Sequence, residues 1–137
     1  MNCAPQATAR PTIAIVDDDG AVRSSLAFAL RSEGYAVRDY AHAEEALKDA
    51  DIAASNCFIV DYNLPKMNGL ELVSELRRRD IMAPVILITT NPNPMVRRGA
   101  QAARTTIIEK PLLGERLFDA VHGALAGPAA CATRGNA

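Results

Sequence analysis

The sequence predicts an α/β protein built on a doubly wound parallel sheet of about five strands. Along its 137 residues, short β-rich runs alternate five times with stretches of helical periodicity, joined by connections of a few residues. Two of those runs, residues 57–60 and 84–89, are almost wholly apolar, which marks strands covered by helices on both faces. The chain is of ordinary single-domain length and needs neither metal nor disulfide to bury a core.

The elements follow in order. Residues 1–11, rich in Ala, Pro, Thr and Gln, read as a disordered lead-in. Thr12 to Val16 is a β-branched run and hence a strand, and it ends in Asp17, Asp18 and Asp19. Val22, Leu26, Phe28, Ala29 and Leu30 then recur at helical spacing, and Gly34 stands where a left-handed stop belongs. Residues 35–40 form a second, edge strand, followed by a helix over 43–49. The third strand, residues 57–60, ends on Asp61. Pro65 and Gly69 punctuate the loop before a helix over 70–79.

The fourth strand ends in the hydroxyls Thr89 and Thr90. The prolines of Asn91-Pro92-Asn93-Pro94 each disfavour helix at the residue before them, so a helix can begin only with Asn93 as cap and Pro94 as first residue. With Gly99 in its middle, that helix is expected to be short and loose. Residues 105–108 are the fifth strand, ending in Glu109-Lys110-Pro111, and an amphipathic helix runs from Leu113 to about Ala126. The domain therefore spans residues 12–126, and residues 127–137 read as a disordered tail.

Bulk properties narrow the function. A net charge of -1 with 23% charged residues gives no electrostatic reason to expect nucleic acid or an acidic membrane as partner. Cys3, Cys57 and Cys131 are too widely spaced for a disulfide framework or a zinc site, and Cys57 reads as a core residue. Neither a signal-peptide core nor a membrane-length apolar run is visible, so a cytoplasmic location is expected.

Ligands of doubly wound sheets bind outside the carboxyl ends of the strands. Here those ends carry Asp17 and Asp18, Asp61, Thr89 and Lys110. Converging carboxylates repel one another, and a hard divalent cation relieves the repulsion, with Mg²⁺ the natural occupant. Few acids, one hydroxyl and one lysine suit phosphoryl transfer. Asp61 is then the candidate nucleophile, forming an acyl phosphate, with Lys110 neutralising a phosphoryl oxygen and Thr89 donating a hydrogen bond to another. Singly, each residue has a plainer reading: Asp17 to Asp19 as a helix cap, Thr89 as a strand-end hydroxyl, Lys110 as a surface lysine.

In this combination the sequence resembles the receiver domains of two-component response regulators. The resemblance rests on Ile15 to Asp19, Val60 to Gly69, Pro84 to Thr89 and Glu109-Lys110-Pro111, in that order and spacing. It implies the flavodoxin-like strand order 2-1-3-4-5, which receivers share as a class. It implies that Asp61 accepts a phosphoryl group from a phosphohistidine on a sensor histidine kinase or a histidine phosphotransfer protein. Asp18, Asp17 partly through water, Asp61 and the backbone carbonyl of Asn63 would hold Mg²⁺, and Lys110-Pro111 would be a cis peptide. Thr89 and Lys110 would detect the phosphoryl group, and signalling to a downstream protein target would follow, with a homodimer one possible form. The first helix and the strand ending at Tyr40 look closest to receivers of nitrogen-fixation-type regulators.

The sequence departs from the family in places. Ile107 stands three before Lys110, where receivers usually carry an aromatic switch residue, and Thr90 stands where Gly or Ala is common, and reads either as narrowing access to Asp61 or as a harmless strand-end residue. Arg97, Arg98 and Arg104 read either as a docking patch or as a solvated face. The tail after residue 126 cannot supply a DNA-binding module, so the chain reads as a stand-alone or separated receiver. Two alternatives to a non-enzymatic signalling receiver stay open: a pseudo-receiver that binds without phosphate, and a Mg²⁺-dependent aspartyl phosphohydrolase. Such hydrolases usually carry a second Asp where this chain has Asn63.

Overall fold

The computed structural model describes residues 10–90, 92–110 and 114–126. Its elements are β1 (Thr12–Val16), α1 (Gly20–Ser32), β2 (Ala36–Tyr40), α2 (Ala43–Lys48), a 3-10 turn (Ile52–Ala54), β3 (Cys57–Asp61), α3 (Gly69–Arg78), β4 (Val85–Thr89), α4 (Pro94–Ala102), β5 (Thr105–Glu109) and α5 (Gly114–Ala126). The strands pair in parallel in the order β2-β1-β3-β4-β5, as the resemblance implies, with β2 at the edge. The expectations for residues 1–9 and 127–137, and for Pro111, lie outside the described residues.

Strand periodicity divides the core into two layers. Ile13, Ile15, Ile59, Ile86, Ile88 and Ile108 cluster with Leu26 and Leu30 of α1 and Leu117 and Val121 of α5. Val16, Phe58, Val60 and Leu87 cluster with Leu72, Val73 and Leu76 of α3 and Val96 and Ala100 of α4. Every residue of β3 and β4 is buried, which is why their sequences carry no alternation. Cys57 is fully buried, and burial pushes its thiol up to about 12, so it serves as a core residue.

The helix ends follow local chemistry. Asp19 caps α1, accepting from the N–H groups of Ala21 and Val22 at 3.0 and 3.2 Å. Gly34 closes the same helix at φ +99°, donating to Arg31 O while Tyr35 N donates to Leu30 O. A capping box opens α3, in which Glu71 N donates to Asn68 Oδ1 and Asn68 N donates to Glu71 Oε1. Asn93 caps α4 through Val96 N at 3.0 Å, with Pro94 its first residue, as expected.

One sequence reading needs amendment, and another gains a packing reason. Phe28 does not belong to the apolar stripe of α1 and is 74% exposed. It lies two residues, about 200° of helical rotation, beyond Leu26, and so faces away from the sheet. Gly99, read as a weak point of α4, stands where the helix meets α3: a Cβ there would come within 2.7 Å of Leu70 Cδ1.

Candidate functional site

Every chemically interesting side chain sits at a strand's last residue or just past it, and parity decides which of them meet. Ile13 and Ile15, Cys57 and Ile59, and Ile108 all belong to the layer under α1 and α5. Two residues further along each strand stand Asp17, Asp61 and Lys110, which inherit that side of the sheet. Thr89 follows Leu87 on the opposite parity, at the end of the adjacent strand.

The two sides meet at the carboxyl edge. Lys110 Nζ lies 3.3 Å from Asp61 Oδ2, and Lys110 N donates to Thr89 O at 2.9 Å, so the fifth strand end is held to the fourth while its ammonium reaches the third. Asp61 is 4% exposed, and its Oδ1 accepts from Asn63 N at 3.1 Å. Thr89 is buried, whereas Thr90 is exposed.

The acid loop after β1 separates its three members. Asp19 is the helix cap and Asp18 is exposed, whereas Asp17 is buried at 1% exposure. Asp17 N donates to Tyr40 O at 3.1 Å, Asp17 Oδ1 accepts from Asp19 N at 2.9 Å, and Arg23 Nη1 donates to Asp17 O at 2.7 Å. Asp17 Oδ2 is buried and has no hydrogen-bond partner among the described residues. Burial raises the Asp17 carboxyl to about 6; the neighbouring charge of Asp61 adds to the rise, and the Asp19 N–H and Lys110 oppose it.

Carboxylate oxygens of Asp17, Asp18 and Asp61 lie within 4.8 Å of one another. This donor set fits a hard cation: the ligands are all oxygens, their like charges need neutralising, and one buried oxygen lacks a protein partner. The acidic cluster therefore has the chemistry of a Mg²⁺ pocket. The structure thus brings together Asp17, Asp18, Asp61 and Lys110, with Thr89 tied to Lys110 through the backbone. Asn63 sits beside Asp61 and is exposed.

The sequence marks Gly69 as loop punctuation and as the end of the Val60 to Gly69 stretch, and the structure gives it a place at the site. A Cβ on it would fall 2.7 Å from Asp61 O and 2.9 Å from Tyr62 Cα, so the start of α3 presses directly on the end of β3. Its N–H donates to Tyr62 O at 2.8 Å. The available signal was a glycine at the first turn of a helix, where no helical preference calls for one. Of the departures from the family pattern, Ile107 is half-buried against the layer under α3 and α4, and Arg97, Arg98 and Arg104 are exposed.

Comparison with known proteins agrees with this geometry. The family model of the response regulator receiver domain matches residues 13–122. Nodulation protein W of Bradyrhizobium diazoefficiens is 32% identical over 120 residues, covering 87% of this chain and 53% of its own length. The transcriptional regulatory protein FixJ of Rhizobium meliloti is 35% identical over 114 residues, covering 82% of this chain and 56% of its own. The expected likeness to nitrogen-fixation-type regulators is thus found.

Among solved structures, the chemotaxis protein CheY4 of Vibrio cholerae superposes with TM-score 0.80 at 29% identity, covering 85% of this chain and all of that one. The response regulator protein TrrA of Thermotoga maritima, solved in complex with Mg²⁺-BeF, gives TM-score 0.73 at 29% identity, covering 84% of this chain and 99% of that one.

The fold and site define a signalling module of the α/β class. The chain belongs to the response regulator receiver domain family. It spans about half the length of the curated relatives it matches. No helix among the described residues is long and apolar enough to cross a membrane.

Proposed function

We propose that this chain receives a phosphoryl group on Asp61 from a phosphohistidine of a sensor kinase or phosphotransfer protein and passes the signal on by protein contact. The observation that carries the reading is the meeting of Asp61 with both a lysine and two further carboxylates at one sheet edge. A carboxylate oxygen of Asp61 attacks phosphorus, the P–N bond to the donor imidazole breaks, and the imidazole leaves with its electron pair and takes up a proton. The acyl phosphate that results carries negative charge on its oxygens.

Lys110, already 3.3 Å from Asp61, neutralises one of those oxygens, and the Thr89 hydroxyl donates to another. Asp17, Asp18, Asp61 and the Asn63 carbonyl would hold Mg²⁺. When bound, the ion neutralises charge on the transferring group. Burial of Asp61 keeps bulk water from competing for the acyl phosphate.

In this reading the chain is a signalling module of the cytoplasm and not an enzyme with a turnover of its own. The phosphohydrolase alternative lacks a second acid, because Asn63 occupies its place. Ile107 offers no aromatic ring, so the response travels through Thr89 and backbone movement of β4 and β5. Exposed Arg97, Arg98 and Arg104 give the downstream target a basic face.

Intact-mass measurement after incubation with acetyl phosphate or phosphoramidate and Mg²⁺ tests the proposal. A phosphate-sized gain is expected in wild type and not in Asp61→Asn. A wild type that binds Mg²⁺ but gains no mass would leave a pseudo-receiver.

A further inference from the structure

Arg23 stands where its own helix disfavours it. It lies in the second turn of α1, after the Asp19 cap, and its side chain turns back over the helix start. The positive end of the helix dipole repels a cation there. The guanidinium passes over Gly20, where an added Cβ would lie 3.8 Å from Arg23 Nη2, and its Nη1 donates to Asp17 O at 2.7 Å. The side chain is half-buried.

That bond completes the fixing of Asp17. The residue's N–H is held by Tyr40 O, its carbonyl by Arg23 and its Oδ1 by Asp19 N, which leaves only the buried Oδ2 unpartnered. The Asp17 carbonyl also belongs to the peptide plane that joins Asp17 to Asp18. A clamp on this oxygen therefore sets the orientation of both acids in the cluster with Asp61.

We propose that Arg23 is a positioning residue for the cation pocket, holding the Asp17–Asp18 peptide in its ligand geometry. The inference rests on the metal reading of the acidic cluster. Two effects of Arg23 oppose each other. Its charge repels a divalent cation, whereas its hydrogen bond to the ligand backbone prearranges the donors. The bond is short and charge-assisted, and the guanidinium is half-buried over Gly20, so geometry outweighs repulsion.

Calorimetric titration of Mg²⁺ into wild type, Arg23→Met and Arg23→Lys at fixed ionic strength tests this, with urea unfolding confirming that each variant is folded. Arg23→Met, which keeps the apolar stem, is expected to bind Mg²⁺ about tenfold more weakly, in the range seen for outer-shell partners of metal ligands. Arg23→Lys retains a donor and is expected to recover most of the loss, a rescue that loss of packing alone does not produce. Equal or tighter binding by Arg23→Met would overturn the inference alone, because repulsion would then be the larger effect. A wild type that binds no Mg²⁺ would overturn the metal reading and this inference with it.

Discussion

The carbonyl oxygen of Asp61 and the α-carbon of Gly69 approach so closely that a methyl group on Gly69 would stand 2.7 Å from that oxygen. Leu87 Cδ1 would be equally near and Tyr62 Cα only 2.9 Å away. Two of these three neighbours are backbone and cannot rotate aside. Gly69→Ala is therefore expected to lose about 1–3 kcal/mol of stability in urea unfolding, as overpacked sites do, despite the better helix propensity of alanine. The same variant should gain phosphate more slowly from acetyl phosphate, because relief of the clash moves Asp61.

Asp17 is costly to the metal-free protein. Its buried Oδ2 has no partner and shares a small volume with Asp61 and Asp18. Asp17→Asn removes one of the like charges while keeping an oxygen for Asp19 N. Thermal unfolding without divalent ions should show the variant more stable by about 1–2 kcal/mol, because one like charge is gone and the new amide N–H can donate to the Asp61 carboxylate. Added Mg²⁺ should raise the melting temperature of wild type and leave the variant nearly unmoved.

Arg77 joins three segments. It donates to Ile81 O at 2.9 Å, Ala83 O at 2.8 Å and Ala103 O at 3.4 Å, tying the end of α3 to the loop before β4 and the turn before β5. Burial and the nearby Arg104 charge lower its pKa without threatening its protonation. Arg77→Met keeps the stem but leaves these carbonyls without their donor. A loss of about 2 kcal/mol is expected in urea unfolding, since hydrogen bonds to charged groups are worth more than neutral ones.

Tyr40 sets an alkaline limit. Burial, and then its hydrogen bond to Asp49, push its hydroxyl from 10.0 up to about 12. The folded state thus holds this proton more tightly than the unfolded chain. Its contribution is complete below about pH 10 and is lost as pH rises towards 12. Tyr40→Phe should lower stability at neutral pH and flatten the decline between those values, read as the difference between the two proteins' unfolding curves.

Much of the fold could be read directly because this sheet is buried on both faces. The uninterrupted apolar runs of β3 and β4 have no other economical explanation, and Gly34 and Asn93-Pro94 mark helix ends by local chemistry alone. The site was legible for a related reason: Asp17, Asp61, Thr89 and Lys110 are polar residues placed at or directly after strand ends. What stayed hidden depends on distant parts of the chain. The pressure of Gly69 on Asp61 needs the return of α3 across the sheet. The Arg77 contacts need the α4–β5 turn. The clamp from Arg23 needs the helix to fold back on its own loop. Phe28 misled because a helical stripe can be traced through it only by counting residues, without their angles.

The alternation that gathers Asp17, Asp61 and Lys110 onto one side makes the chemistry depend on counting. Removing a single residue from the middle of β3 would turn Asp61 towards the α3 layer and offer Tyr62 to the lysine in its place, although no functional residue had been changed. Insertions and deletions should therefore be tolerated in the loops and silenced in the strands. In this molecule the reading frame of each strand is itself a functional element.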